Sequence, residues 1–214
     1  MVAAKPDRGS DRREALLAAA AEIFFEQGYA ATSIDAIIER VGGSKRTIYN
    51  EFGSKEGLFT ALVSESAEAA LSVLSVDDFE GQSLDEILLE FGRSLLTIYM
   101  SPALIGVYRS IMPEASRFPE LARDFYEKGP GRASDRLTKA LEAARDRGEI
   151  QLENCRAAAD LFVGMFRANL HLRVVLGLCP PPSPAEAETT VTTAVGIFLH
   201  GIYGVDRKGE RRGR

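Results

Sequence analysis

Cysteine and histidine are scarce in this chain of 214 residues, two of each. That scarcity removes whole classes of chemistry. Cys155 and Cys179 are too few for a disulfide scaffold. Placed on one long helix, as the apolar periodicity below implies, they stand roughly 36 Å apart at 1.5 Å per residue. A bridge needs Cα atoms within about 7 Å, so both read as free buried thiols. His171 and His200 belong to no cluster of His, Cys, Asp and Glu with metal-ligand spacing and read as helix-face residues. No Gly-rich phosphate loop and no His-based dyad is present, so neither an enzyme nor a cofactor is expected. No run approaches the ~18 uninterrupted apolar residues of a membrane span. The N-terminal MVAAKPDRGSDRRE also lacks the apolar segment of a signal peptide. The expected compartment is the cytoplasm, with no membrane partner.

What is present is ordinary for a soluble globular protein: 45 % apolar residues and 27 % charged. The length allows one large domain or two small ones, each with its own core. Net charge is −5, which by itself argues against a nucleic-acid partner. Binding depends, however, on the local charge that faces phosphate. Between Ser44 and Lys55 the cations Lys45, Arg46 and Lys55 are opposed only by Glu51. This patch predicts salt-sensitive binding of modest nonspecific strength.

The stretch TSIDAIIERVGGSKRTIYNEFGSK, Thr32 to Lys55, reads as two short helices around a Gly-Gly turn. Thr32 is expected to cap the first, with Asp35 three residues later completing a capping box. Ile34, Ile37, Ile38 and Val41 then fall on one helical face. Gly42 and Gly43 reverse the chain at low steric cost. Ser44 caps a second helix whose buried side is Ile48 and Phe52 and whose outer side shows Lys45, Arg46, Thr47, Tyr49 and Asn50. Two helices around a tight turn, the second rich in donors, is the plan of a helix-turn-helix DNA reader.

Gly28-Tyr29 with Thr32, the Gly42 turn, Ser44, Thr47-Ile48-Tyr49 with Phe52, and Ser54-Lys55-Glu56-Gly57-Leu58-Phe59 together resemble the N-terminal domain of the TetR family of bacterial one-component repressors. The resemblance implies that the second helix enters the major groove of a double-stranded operator. Lys45 and Arg46 are then placed to reach guanine O6 and N7, Asn50 adenine N6 and N7, and Thr47 a thymine methyl or a phosphate. Tyr49 and Lys55 match family positions that bind phosphate, Lys55 with the positive end of a helix beside it. Thr32 can offer its hydroxyl and nearby N–H groups to phosphate. Two positions depart from the family pattern: Ile38, commonly small, and Gly43, commonly apolar. Ile38 is expected to fill volume that Gly43 leaves empty. Glu51 would repel phosphate unless it points aside or accepts from cytosine N4.

The rest also reads as helix, with no strand-like alternation and no internal repeat. The first helix spans roughly Asp11 to Gln27, and a fourth runs from Ser54 to about Val76. Ser83 with Glu86 opens another through a capping box, and Ser101-Pro102 and Pro119 begin two more. Gly129-Pro130-Gly131 interrupts before Ala133 to Arg147. Two apolar helices, about Asn154 to Leu178 and Pro184 to Tyr203, flank the stiff Cys179-Pro-Pro-Pro-Ser183 connection. Arg117-Phe118-Pro119-Glu120-Leu121 with Phe125-Tyr126 and Gly129-Pro130 resembles the C-terminal domain of the AefR-like branch of the same family.

The expected fold is all-α, about nine helices. Residues 1–10 form a flexible arm, 11–58 a three-helix helix-turn-helix domain, 59–205 a larger effector-binding and dimerisation domain, and 206–214 a charged tail. The apolar surplus of the last two long helices suits a homodimer interface, with Phe162, Met165, Leu172, Val191, Val195, Phe198 and Ile202 as its candidates. The family resemblance implies the same. Phe91, Tyr99, Tyr108, Arg109, Met112, Phe125, Phe166 and Asn169 describe either an ordinary core or a pocket for a small apolar or amphipathic effector, and the resemblance favours the pocket. The competing reading is a helical small-molecule-binding or scaffolding protein without DNA regulation.

Overall fold

The computed structural model describes residues 8–71 and 82–201, and every regular element among them is a helix. In chain order these are α1 (Arg8–Gln27), α2 (Ile34–Val41), α3 (Lys45–Phe52), α4 (Lys55–Leu71), α5 (Leu84–Tyr99), α6 (Pro102–Ile111), α7 (Pro119–Tyr126), a π-helical turn (Glu127–Gly131), α8 (Arg132–Asp146), α9 (Cys155–Phe166), α10 (Asn169–Val175) and α11 (Pro184–His200). Ile202 and the charged tail lie outside the described residues. The starts follow local chemistry. Ser83 with Glu86 and Ser183 with Glu186 form complete capping boxes, each satisfying two otherwise unpaired backbone groups.

The chain divides into two compact units, residues up to Ala69 with Pro102–Gly131, and Ala70–Ser101 with residues from Arg132 onward. α6 and α7 therefore group with the helix-turn-helix elements. The first unit has an aromatic heart. Phe24 stacks on Tyr29 at 5.6 Å, and the Phe59 ring meets both edge-on at 5.1 and 5.2 Å. Phe118, just before α7, contributes a fourth ring 5.1 Å from Tyr29. α6 is seated on α1 by two further devices. The buried Ser110 hydroxyl donates to the Phe24 carbonyl at 2.8 Å. Gly106 lies so close to Phe25 that a Cβ there would stand 2.3 Å from the ring.

In the second unit α5 packs against α11, and α8 against α9. Phe162, fully buried, takes ring contacts from Phe91, Phe166 and Phe198 at 6.3, 5.2 and 4.9 Å. Arg93 binds Glu188 through two hydrogen bonds of 2.8 and 2.6 Å, tying α5 to α11. The helix expected over residues 154–178 is two helices, broken at Arg167–Ala168. Arg167 ends α9 by donating to the Gly164 carbonyl, and α10 restarts with His171 and Val174 buried. No Gly or Pro marks the break, so tertiary packing overrides the helical propensity of the sequence there. The two cysteines are consequently not on one helix; both are free thiols, Cys155 buried and Cys179 half-buried.

Candidate nucleic-acid interface

The site is built on the turn between α2 and α3. Ser33 begins α2 and its hydroxyl accepts from the Ala36 N–H at 3.1 Å. Ile34 and Ile37 are buried beneath. The chain turns at Gly42 and Gly43, with φ of +79° and +116°, a region that L side chains rarely occupy. Ser44 then caps α3, accepting from the Thr47 N–H. Ile48 is completely buried and anchors the helix. Lys45, Arg46, Tyr49 and Asn50 are left facing outward, Tyr49 with half its surface exposed. α3 ends at Gly53, and α4 starts so close behind that a Cβ on Gly57 would stand 1.9 Å from the Phe52 carbonyl oxygen. The reading helix is thereby fixed against the first turn of α4.

The outward side chains differ in readiness. Lys45 holds Asp35 at 2.9 Å, and that hydrogen bond pushes its ammonium pKa up. Arg46 has no ion pair or hydrogen bond among the described residues and presents its whole guanidinium fork. Thr47 shares a 3.2 Å hydrogen bond with Ser44. Glu51 is not a bare carboxylate facing phosphate, because Arg13 of α1 pairs with it at 3.2 Å. Arg13 also pairs with Glu65 of α4 and lies 5.3 Å from the centre of the Phe52 ring, joining α1, α3 and α4.

Two residues expected to contact phosphate turn inward in this structure. Thr32 does not cap α2; Ser33 does, and no capping box with Asp35 forms. The Thr32 hydroxyl is buried and donates backwards to the carbonyls of Gly28 at 2.8 Å and Ile23 at 3.4 Å. Its N–H also donates to Gly28, at 3.3 Å. Thr32 therefore has no donor to offer DNA. Lys55 turns inward as well. Its Nζ donates to the carbonyls of Tyr29 at 2.9 Å, Thr32 at 3.1 Å and Ala30 at 3.4 Å, and lies 4.5 Å from the centre of the Tyr29 ring. Burial lowers the Lys55 pKa, while burial and the adjacent Glu56 carboxylate push the Tyr29 phenol up. Lys55 thus bolts the α1–α2 turn onto α4. The proposed volume exchange between Ile38 and Gly43 also fails, since Gly43 is exposed on the turn and fills no core.

One cation at this site was overlooked. Arg12, exposed on α1, brings Nη2 to 3.5 Å from the Thr47 hydroxyl, and a Cβ on Gly43 would meet that same nitrogen at 2.7 Å. The adjacent Arg12-Arg13 pair at the start of the first helix was the available signal.

The remaining candidates are distributed between the units. Phe91, Tyr99, Phe166 and Asn169 belong to the second unit, and Tyr108, Arg109, Met112 and Phe125 to the first. Phe91 and Phe166 are core residues around Phe162. The Tyr99 ring faces the buried His171 at 5.6 Å, and Tyr108 meets Phe125 edge-on at 5.1 Å. Met112, Arg109 and Asn169 are exposed. Among the interface candidates Phe162, Val191 and Val195 are at most 4 % exposed within the chain itself. They cannot meet a partner and are corrected to core. Leu172 is exposed, and Met165 and Phe198 are half-buried. The apolar surface left outside on these elements is instead Leu161, Leu172, Leu176, Leu178 and Ile197.

A short donor-bearing helix after a glycine turn, anchored by one buried isoleucine and locked to the helix behind it, defines a helix-turn-helix DNA-binding unit. Residues 16–62 match the model of bacterial regulatory proteins of the tetR family, and residues 86–205 that of the AefR-like transcriptional repressor C-terminal domain. The chain belongs to the TetR family of transcriptional regulators. The solved structure of the flavonoid-responsive regulator FrrA is 35 % identical, with a TM-score of 0.73 over 89 % of this chain and 96 % of that one. A TetR-family regulator from Mesorhizobium loti is 28 % identical, with a TM-score of 0.75 over 90 % and 97 %. The helix-turn-helix regulator YvkB of Bacillus subtilis is 26 % identical over 197 residues, 87 % of this chain and 95 % of its own.

Proposed function

We propose that this protein is a cytoplasmic repressor, without enzymatic activity, that binds a pseudo-palindromic operator as a homodimer and is released by a small amphipathic effector. The observation that carries the reading is α3, where Ile48 is sealed while Arg46, Tyr49 and Asn50 stand outward with Arg12 beside them. Arg46, Lys45 and Asn50 supply base contacts, and Tyr49, Ser44 and Thr47 the phosphate contacts. The name of the AefR-like C-terminal model supports repression. The responsiveness of FrrA to flavonoids supports an effector with an aromatic, apolar body.

Dimerisation is assigned to the exposed edge of α9 and α11, where Leu161 and Ile197 are apolar and uncovered. The effector is assigned to the first unit beyond the reading head, with Tyr108 and Phe125, which meet edge-on, as its aromatic contacts. A ligand there tilts α4 and spoils the match to half-sites about one helical turn apart, ~34–36 Å. The test is reciprocal. Operator DNA must weaken effector binding by the factor by which effector weakens DNA binding. Calorimetric titration of a confirmed ligand with and without saturating operator reads that factor, and equal affinities would refute release.

A further inference from the structure

The first unit contains a concavity of about 430 Å³ that is lined by none of the effector candidates named above. One wall is the start of α4, Gly57 and Thr60, and the other is the segment leading into α7, Phe118 and Leu121. The volume is in the range of small-ligand pockets, and the lining is largely apolar. Its rim is polar, and two of its three carboxylates are neutralised by cations. Glu120 pairs with Arg123 at 2.6 Å, and Asp124 takes Lys128 at 3.4 Å and the Thr60 hydroxyl at 3.1 Å. Glu56 sits at the positive end of α4, where its own backbone N–H stabilises the carboxylate and lowers its pKa. Neither Glu56 nor Arg117 has an ion pair among the described residues, and Arg117 is the one cation of the lining. Its guanidinium lies 5.3 Å from the centre of the Phe118 ring, at the mouth of the groove.

We propose that this groove binds a small aromatic carboxylate, its ring against Phe118 and Leu121 and its carboxylate on Arg117, and that filling it weakens operator binding. The class follows from the walls and the single unpaired cation: an apolar ring fits the lining, and guanidinium takes a carboxylate through two parallel N–H donors. The coupling follows from position. Gly57 lines the groove and abuts the Phe52 carbonyl on its other side, so one residue separates the bound ring from the end of α3. The Thr60–Asp124 hydrogen bond spans from α4 to α7, and a ring entering between them must part it. This site is distinct from the effector contacts assigned above, and its regulatory half rests on the reading of the protein as an operator-binding repressor.

The experiment uses the full-length protein, with 2-naphthoate as probe and 2-naphthamide as its uncharged counterpart. Calorimetry should give submillimolar binding of naphthoate to the wild type. Arg117→Gln should weaken it at least tenfold, Arg117→Lys should recover most of the loss, and naphthamide should bind wild type and Arg117→Gln alike. Because Arg117 is exposed, both variants should melt as the wild type does. In gel shifts on an operator recovered by in-vitro selection, naphthoate should lower the affinity of the wild type at concentrations that leave Arg117→Gln unaffected. Absence of binding at millimolar probe, or equal naphthoate affinity in wild type and Arg117→Gln, overturns the site. Tight naphthoate binding with unchanged operator affinity overturns its regulatory role. Should Arg117→Gln lose operator affinity without any probe, with a shallower salt dependence, the arginine is a phosphate contact and the proposal fails. If no operator is found, the repressor reading falls, while calorimetry still judges the groove.

Discussion

Lys55→Met tests whether the ammonium at the start of α4 serves the fold or the DNA. Methionine keeps the apolar stem and removes the charge and all three donors. Two of the three hydrogen bonds, at 2.9 and 3.1 Å, have good lengths and the third, at 3.4 Å, is weak. A hydrogen bond involving a charged group contributes ~1.5–3 kcal/mol net, and an exposed cation–π contact about 0.5–1 kcal/mol. Partial burial of the ammonium offsets part of this, and water reaches the freed carbonyls, so the expected loss is about 2 kcal/mol. For a protein of this size that is a fall in Tm of about 4–8 °C at fixed protomer concentration. The Gly28–Ser33 turn orients α2, so operator affinity should fall for every sequence alike, with the slope of log K against log salt unchanged. A phosphate contact predicts the opposite pair: unchanged melting and a slope shallower by about 0.9. Observing that pair would refute the bolt.

Arg46→Ala should cost on the order of 1–3 kcal/mol on the preferred operator and relax preference at one base position, read by gel shifts on single-base variants; equal losses on all variants would make it a backbone contact. Leu161→Glu or Ile197→Glu should yield a folded monomer in sedimentation, because both side chains are 45 % or more exposed; an intact dimer moves the interface elsewhere. Phe198 is unsuited to that test, since its ring packs on Phe162 at 4.9 Å. Gly57→Ala drives a Cβ into the Phe52 carbonyl and should cost about 1–3 kcal/mol of stability together with operator binding, whereas a variant that melts and binds normally would mean the α3–α4 junction is loose. Burial, then Arg167, lowers the pKa of His171 below its ordinary 6.5. The unfolded chain therefore binds the proton first, and stability should fall as pH drops through 6.5, a slope that His171→Asn should flatten in thermal melts.

The helix-turn-helix was legible because its signals are local. Ser44 at a cap, a Gly-Gly reversal and Ile48 at the right spacing each act within a few residues, and the capping boxes at Ser83 and Ser183 did so too. What escaped was decided over distance. Arg13 pairs with Glu51 and Glu65, 38 and 52 positions away. Phe118 joins an aromatic heart whose other rings, Phe24, Tyr29 and Phe59, lie before residue 60. The break at Arg167–Ala168 has no breaker residue. Apolar surplus on α9 and α11 was visible, but periodicity could not tell which side chains the chain keeps for its own core, so Phe162, Val191 and Val195 were placed outside. The inward turns of Thr32 and Lys55 were hidden because both serve backbone carbonyls, which leave no mark in the pattern of side chains.

Those inward turns bear on how an acidic chain can read DNA. Around the reading helix nearly every cation is already spoken for: Lys45 by Asp35, Arg13 by Glu51 and Glu65, Arg40 by Glu22 and Glu26, and Lys55 by three carbonyls. Arg46 and Arg12 alone in that neighbourhood carry no ion pair among the described residues. With so few uncommitted charges, the nonspecific attraction to phosphate should be weaker, and its salt dependence shallower, than the basic patch in the sequence predicts. The exposed Lys45–Asp35 pair is a surface bridge of about 0–1 kcal/mol, so Lys45 can be recruited to a guanine at little cost when the base is right. On the proposed reading, discrimination rests on base-edge contacts made by Arg46, Lys45 and Asn50, not on a basic surface. Asp35→Asn separates the two accounts. Releasing Lys45 should raise affinity for random DNA proportionally more than for the operator and so narrow the ratio between them, as competition gel shifts would read. An unchanged ratio would mean that Asp35 does not restrain Lys45.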